Sequence, residues 1–573
     1  MIRKFFKPFI SLIIITVTLT FVQVIADLSL PNYMARIINE GIIRQDIPFI
    51  LRMGGIMLII ALGGICCAIS AGFLASRIAL GIGKNIRNAL FSKVIHFSLS
   101  EFDRVGTASL ITRTTNDVMQ IQNTTFMMLR MLLRSPLMCV GAVFMAINKD
   151  KGLSILLLSI LPVIILVILF VSKKAMPLFR SIQKKIDTIN LVLRENLVGI
   201  RVIRAFSRVG YEKRRFAEAN RDLAWTATRV GRLMAVLEPI MIISMNGLSI
   251  AIVWFASFRI DAGNLEIGDM LAFIQYATQI LMSLMMMTMM FIMLPRAFVS
   301  VERINQVLKM ESELSDPEKP ATVSGTKMQL SFRQVTFRFE RAENPAVNNA
   351  SFFLQSGETI AVIGGTGSGK STLVNLILRY YDAESGEIWI NGTDIRSGTQ
   401  EDLRSRIGYV PQLSVLFTGT IESNIRIGKP DATDEEVRQA CRIAQASSFI
   451  EQMPDGYQSE VSQGGTNLSG GQKQRLSIAR ALVGKKDIYI FDDSFSALDF
   501  KTDAQLRAAL KEETKDAIVI IVAQRVGSIL NADHILVMDK GSIVAIGTHT
   551  ELLNSSPLYR EIVFSQLSKK EID

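Results

Sequence analysis

Charge is scarce in this sequence. Only 20% of its 573 residues are Asp, Glu, Lys or Arg, while 49% are hydrophobic. That excludes an intrinsically disordered chain, a class poor in apolar residues. A purely soluble protein of several domains is excluded as well, because the mean hydropathy of +0.32 is positive. Cysteine is scarce too. Cys66, Cys67, Cys139 and Cys441 are too few for a disulfide scaffold. Three of the four fall in apolar runs, so all are expected as free thiols. Acidic residues are outnumbered, 52 against 63 basic ones, for a formal net charge of +11.

That excess has an address. Residues 77–130 hold seven Lys/Arg against three Asp/Glu, and residues 173–232 hold fifteen against five. Both stretches lie between apolar segments. The positive-inside bias of membrane proteins explains them as cytoplasmic loops, so no nucleic-acid partner is expected.

The apolar excess sits in the first 300 residues. About 20 apolar residues in a helix cross a hydrocarbon core of ~30 Å. Pro8–Ala26, Met53–Ser76, Leu153–Ser172, Pro239–Phe258 and Met270–Pro295 carry no charge. A sixth candidate, 131–148, contains Arg134. Counting it puts both basic stretches on one side. The expected spans are 9–30, 53–76, 131–148, 153–172, 233–258 and 268–295. They follow a short interfacial helix over 1–8 and make a membrane domain over 9–300. Arg3, Lys4 and Lys7 precede the first run as in a secretory signal. That run is too long for a signal core and no small-residue cleavage site follows, so the N-terminus is expected in the cytoplasm. The basic loops show helical apolar spacing, as in Leu110, Ile111, Val118 and Ile121. The membrane helices are therefore expected to continue well into the cytoplasm. Residues 301–328 read as a linker, charged and Pro-containing from Glu311 to Thr326. Residues 329–573 read as an ordinary α/β domain.

That domain carries a phosphate-binding motif. The apolar strand Thr359–Ile363 runs into Gly364-Gly365-Thr366-Gly367-Ser368-Gly369-Lys370-Ser371-Thr372, and then into a helix. This is G-x-x-x-x-G-K-[ST] in its required strand–loop–helix setting. Glycines let backbone N–H groups turn toward phosphate oxygens, and the helix N-terminus adds its positive dipole end. Lys370 is expected at the β- and γ-phosphates and the Ser371 hydroxyl on Mg²⁺. A second apolar strand ends in Asp492, which puts a carboxylate beside the same ion. The expected ligands are therefore ATP and Mg²⁺.

Leu468-Ser469-Gly470-Gly471-Gln472-Lys473-Gln474-Arg475 is the most specific string in the chain. With it, nearly the whole sequence resembles the ATP-binding cassette (ABC) superfamily. The closer likeness is to a type IV exporter half-transporter: six membrane helices, then one P-loop α/β domain with a helical subdomain. The resemblance implies that Ser469, Gly470, Gly471 and Gln472 cap a nucleotide held by a second, opposing domain. It implies adenine stacking on Phe339, where tyrosine is more usual, and Mg²⁺ contact by Gln412. Ser496–Asp499 matches the loop that crosses the dimer interface. Ser98–Thr107 and Asn196–Arg208 sit where the family has its coupling helices.

Two departures bear on mechanism. The family's water-polarising glutamate is here Asp493, one methylene shorter. The family's γ-phosphate histidine is here Gln524, whose amide donates a hydrogen bond but carries no titrating proton. A milder change puts Gln463 where a glutamate is usual. Together they imply a degenerate site that binds ATP and hydrolyses it slowly, beside an intact signature. That pattern resembles the degenerate half of heterodimeric bacterial multidrug exporters, in the cytoplasmic membrane, with a second half-transporter as partner. The expected function is ATP-driven efflux of amphipathic small molecules and drugs across the lipid bilayer of that membrane. For substrate contacts, the Met-rich sixth span offers Met286 and Met290 as adaptable apolar surface. Glu238, before Pro239, is the candidate for a cationic group. The alternatives are a lipid or peptide exporter on the same scaffold, or a non-transporting regulator or channel. No Cys/His peptidase pair precedes the spans, which disfavours peptide processing.

Overall fold

The computed structural model describes residues 3–321, 328–340 and 342–566. The part of the linker over 322–327 therefore lies outside the described residues. Two compact units divide the chain: Met1–Ile95 with Val105–Met310, and His96–Arg104 with Glu311–Asp573.

In the first unit, six helices among the described residues are long and apolar enough to cross a membrane. They run over Lys4–Ile42, Ile47–Ile95, Thr107–Lys149, Lys151–Val198, Val209–Asp261 and Ile267–Met287. The sixth continues as a helix to Lys309. At 1.5 Å per residue, a 48-residue helix such as Lys151–Val198 is about 70 Å long, more than twice the hydrocarbon thickness. The apolar windows set where lipid is crossed, and the helices outlast them as polar rods. This is why the third helix starts at Thr107 rather than near 131. It is not uniform: π-helical turns interrupt it at Arg113–Asp117 and Met128–Leu132. The segment expected at the interface is one helical turn over Arg3–Phe6, then a tight turn over Lys7–Phe9 before the long helix begins at Ile10.

Ion pairs and one tyrosine tie this bundle together. Lys149 meets Asp269 at 2.7 Å and Arg259 meets Asp150 at 2.8 Å. Tyr276 is fully buried, and its hydroxyl donates to the Leu28 carbonyl at 3.0 Å. A buried tyrosine needs such a partner for its polar end.

The second unit is built on strands β1 (Gln329–Phe337), β2 (Val347–Gln355), β3 (Thr359–Gly364), β4 (Ser385–Ile390), β5 (Thr393–Asp394), β6 (Ile407–Val410), β7 (Gly419–Thr420), β8 (Glu460–Val461), β9 (Ile488–Asp492), β10 (Ile518–Val522), β11 (His534–Asp539) and β12 (Ser542–Gly547). An antiparallel sheet has the order β2-β1-β4-β5, and the main sheet has β12-β11-β3-β10-β9-β6. The main sheet is parallel except for β12. Its inner strands β9 and β10 are buried at every position, which is why they read as unbroken apolar runs. A helical layer over 421–482 packs on the same core through Leu476, Ile478 and Cys441.

Candidate nucleotide site

Sheet order explains the site. Ligands of parallel α/β sheets bind beyond the carboxyl ends of the strands. The neighbours β6, β9, β10 and β3 end in Val410, Asp492, Val522 and Gly364, with Val522 level with both Asp492 and Val362. Gln412, Asp492, Asp493, Gln524 and the Gly364–Thr372 loop therefore leave the sheet side by side. The four side chains and loop residues 366–372 line one cavity of about 330 Å³, together with Phe339.

The phosphate loop is held by specific backbone needs. Gly369 has φ +101°, and a Cβ there would lie 2.2 Å from the Ala346 carbonyl oxygen. Only glycine fits such a position. The helix Lys370–Ile377 starts directly after it. The Lys370 ammonium is buried and donates to the Gly364 and Gly365 carbonyls at 2.9 and 2.8 Å. Burial pulls its pKa below the ordinary lysine value, while Asp493 and Asp492 push it back up. The Ser371 hydroxyl donates to Asp492 Oδ1 at 3.2 Å. Asp492 is 4% exposed. Burial raises its pKa above the usual carboxylate range, opposed by the bond from Ser371.

Asp493 is unusual in its backbone and its partners. It has φ +48°, and its N–H donates to the Val522 carbonyl at 2.9 Å. One carboxylate oxygen, Oδ2, accepts from Gln524 Nε2 at 3.0 Å and from Gln412 Nε2 at 3.4 Å. Burial raises its pKa as well, opposed by Gln412 and Lys370. The two departures from the family pattern thus meet on one oxygen atom. Gln524 is itself strapped: its carbonyl accepts from Gln566 Nε2 at 2.8 Å, and the Gln566 Oε1 accepts from the Val526 N–H at 2.9 Å. Gln566 has no motif around it and gives no sequence signal.

The signature residues lie elsewhere in this chain. Ser469 caps the helix Gly470–Leu482: its hydroxyl accepts from the Gln472 N–H at 3.3 Å, and the Gln472 side chain accepts from the Ser469 N–H at 2.8 Å. Ser469 and Gly470 are exposed and do not line the Lys370 cavity. Asp499 likewise caps Phe500–Glu513, accepting from Thr502. Phe339 packs edge-on against Phe337 and Tyr381 and leaves 40% of its surface exposed.

The chain matches the ABC transporter transmembrane region family over residues 12–284 and the ABC transporter family over residues 347–496. It is 41% identical over 570 residues to an uncharacterized ABC transporter ATP-binding protein of Mycobacterium tuberculosis, covering 99% of this chain and 98% of that one. This chain is an ABC transporter. A fatty acid ABC transporter ATP-binding/permease protein of Mycobacterium bovis is 32% identical, over 83% of this chain and 75% of that one. A solved structure of a bacterial Atm1-family ABC exporter with ATP bound superposes with a TM-score of 0.81 at 25% identity, covering 98% and 99% of the two chains. The transporter is thus a type IV exporter half-transporter, and its second unit is an ATPase domain coupled to transport.

Other residues singled out in the sequence lie outside the nucleotide cavity. The sequence placed coupling helices near 98–107 and 196–208, and short helices occur at Leu99–Val105 and Ile200–Ala205. Glu101 is fully buried, and its carboxylate accepts from the N–H groups of Ser98 at 2.6 Å and Glu313 at 2.8 Å. Sequence reading passed over this residue, because nothing local marks a link spanning more than 200 positions. In the membrane unit, Asp27 and Arg134 pair at 3.0 Å. Met286 lines a cavity of about 280 Å³ with Phe126, Arg130 and Arg134. Glu238 is exposed and does not line that cavity. The side chain of Met290 lies outside the described residues.

Proposed function

We propose that this chain is one half of an ATP-driven exporter of amphipathic small molecules in a bacterial cytoplasmic membrane, pairing with a different half-transporter. The observation that carries the reading is the oxygen of Asp493 held by both Gln524 and Gln412. A general base needs its carboxylate within hydrogen-bond reach of the attacking water. Here the carboxylate is short and is bound by amides. The chain's own ATP site is a slow one. Its signature, Ser469–Gln472, serves the partner's phosphate loop in a head-to-tail dimer.

The residues fit ATP and Mg²⁺. Lys370 offers an ammonium among loop carbonyls, and Phe339 offers an exposed ring face for adenine. The fit to a divalent cation rests on Asp492: a buried carboxylate whose polar partner is a serine hydroxyl is an oxygen pair suited to Mg²⁺. Ser371, Asp492 and Gln412 would hold it, and the ion would neutralise charge on the β- and γ-phosphates. Around that group the protein positions: Lys370 orients phosphate, Gln412 and Gln524 fix the Asp493 carboxylate, and Ser469 with Gly470 and Gly471 supplies donors to a nucleotide on the partner. Binding energy is spent on closing two nucleotide domains, and the long helices carry that closure across the bilayer. Glu238, Met286 and Met290 are the proposed substrate-facing residues.

A second reading is favoured by a specific observation. The relative named as a fatty acid transporter is 32% identical over 83% of this chain, and a cavity of the membrane unit is lined by two arginines. A lipid-like substrate on the same scaffold fits both.

The test is nucleotide exchange in the purified transporter. The expected result is a different half-transporter co-purifying with this chain, and nucleotide retained at the Lys370 loop through many turnovers of the partner's site. A symmetric pair of this chain alone, hydrolysing ATP briskly with equal exchange at both sites, refutes the heterodimer and the slow site.

A further inference from the structure

The membrane-unit cavity has a distinct chemistry. Phe126, Met127, Met131 and Met286 supply apolar wall, and Arg130 and Arg134 supply two guanidinium groups. The arginines are four residues apart on the third helix, and both line the cavity. The π-helical turn Met128–Leu132 carries the first of them, and such turns recur at functional sites. Arg134 is neutralised by Asp27 at 3.0 Å. Arg130 has no ion pair or hydrogen bond among the described residues. Among the described residues, the cavity lining therefore holds one surplus positive charge.

Two further details point to a ligand. Ser135 also lines the cavity, is 3% exposed, and has a hydroxyl with no hydrogen-bond partner among the described residues. An orphaned buried hydroxyl is costly unless something completes it. Gly72 on the second helix makes room for Arg130: a Cβ there would lie 2.9 Å from Arg130 Nη1. Charged groups within spans face interiors or cavities and mark substrate paths. A guanidinium matches a carboxylate through two parallel hydrogen bonds. Methionine side chains adapt to a flexible apolar tail.

We propose that this cavity seats the head of a single-chain amphipathic monoanion, a carboxylate on an acyl tail. Arg130 pairs with the carboxylate, Ser135 donates a second hydrogen bond, and the Phe/Met wall takes the first methylenes. The single surplus charge selects a monoanion over a dianion. The inference rests on the exporter reading and narrows its substrate class from amphipathic molecules to acidic ones.

The test uses the full transporter in lipid nanodiscs and three probes of equal chain length: dodecanoate, dodecyltrimethylammonium and dodecyl maltoside. Radiolabelled dodecanoate binding is measured for wild type, Arg130→Gln, Arg130→Lys, Gly72→Ala and Glu238→Gln, with ATP binding measured in parallel. Arg130→Gln is expected to weaken dodecanoate binding at least tenfold, since a charged hydrogen bond of ordinary strength is worth that much. Arg130→Lys should restore part of it, and Gly72→Ala should weaken it by displacing the guanidinium. ATP binding should be equal in all five. Unchanged dodecanoate binding in both Arg130→Gln and Gly72→Ala overturns the proposal, as does preferential binding of the cation lost in Glu238→Gln. Arg130-dependent binding with no ATP-driven export supports the site and removes the exporter reading instead.

Discussion

Combining Asp493→Glu with Gln524→His should turn the slow site into a working one. The geometry sets the scale. Asp493 is fixed by its left-handed backbone and its N–H bond to Val522, so the side chain alone decides how far the carboxylate reaches. One added methylene moves it outward by at most about 1.5 Å. In the wild type the carboxylate also accepts from Gln524 at 3.0 Å. A hydrogen bond to a charged group is worth about 1.5–3 kcal/mol, and it favours a carboxylate turned toward the amide rather than toward water. In Asp493→Glu alone the longer carboxylate would still be held by Gln524. In Gln524→His alone the imidazole would face a carboxylate too short to reach. Each single change should gain tenfold or less. The pair should gain about 100-fold, the low end of general-base contributions, or about 2.7 kcal/mol in the barrier. The assay is single-turnover phosphate release at saturating Mg-ATP by the full transporter in nanodiscs, with Lys370→Ala as the zero. A double variant that binds ATP as tightly as wild type and releases phosphate no faster refutes the reasoning.

Lys370→Ala should cut ATP affinity of this chain about 100-fold, because it removes the one ammonium set among the loop carbonyls; fluorescent-nucleotide titration reads it. Glu101→Ala should cost about 3 kcal/mol, since the N–H groups of Ser98 and Glu313 lose their buried acceptor. Thermal unfolding of the ATP-loaded protein checks it, and Glu101→Gln, which keeps an acceptor oxygen, should cost less. Asp492→Asn should raise thermal stability without nucleotide at neutral pH by about 1 kcal/mol while weakening Mg²⁺-dependent binding. Burial holds the Asp492 pKa above its unfolded value, so its ionised form costs stability at pH 7. That cost disappears as pH falls through the raised folded pKa, and the difference between variant and wild type should shrink over that window.

The nucleotide half was legible because its chemistry is local. The strand before Gly364 and the strand ending in Asp492 are buried at nearly every position, so they read as apolar runs with their functional residues at the ends. The convergence of Gln412 and Gln524 on one oxygen was not legible, because it depends on β6, β9 and β10 being neighbours. In the membrane half, spans read from hydropathy mark lipid crossings and not helix ends, so the third helix reaches 24 residues upstream of its expected start at 131. A count of charges placed Arg130 in a cytoplasmic excess. A π-helical turn, invisible to composition, sets it at a cavity with Arg134. Gln566 and Glu101 act on residues 42 and 212 positions away, where no linear pattern reaches.

The nine residues His96–Arg104 fold with a unit whose remainder begins at Glu311. A fragment trimmed to start at β1 would lack both the buried acid and the amide it binds, and would expose a surface that the intact chain covers with its own earlier loop. Gene fusions, split proteins or swapped cassettes made from this transporter must therefore carry that loop along with Glu313, or supply its equivalent from the recipient.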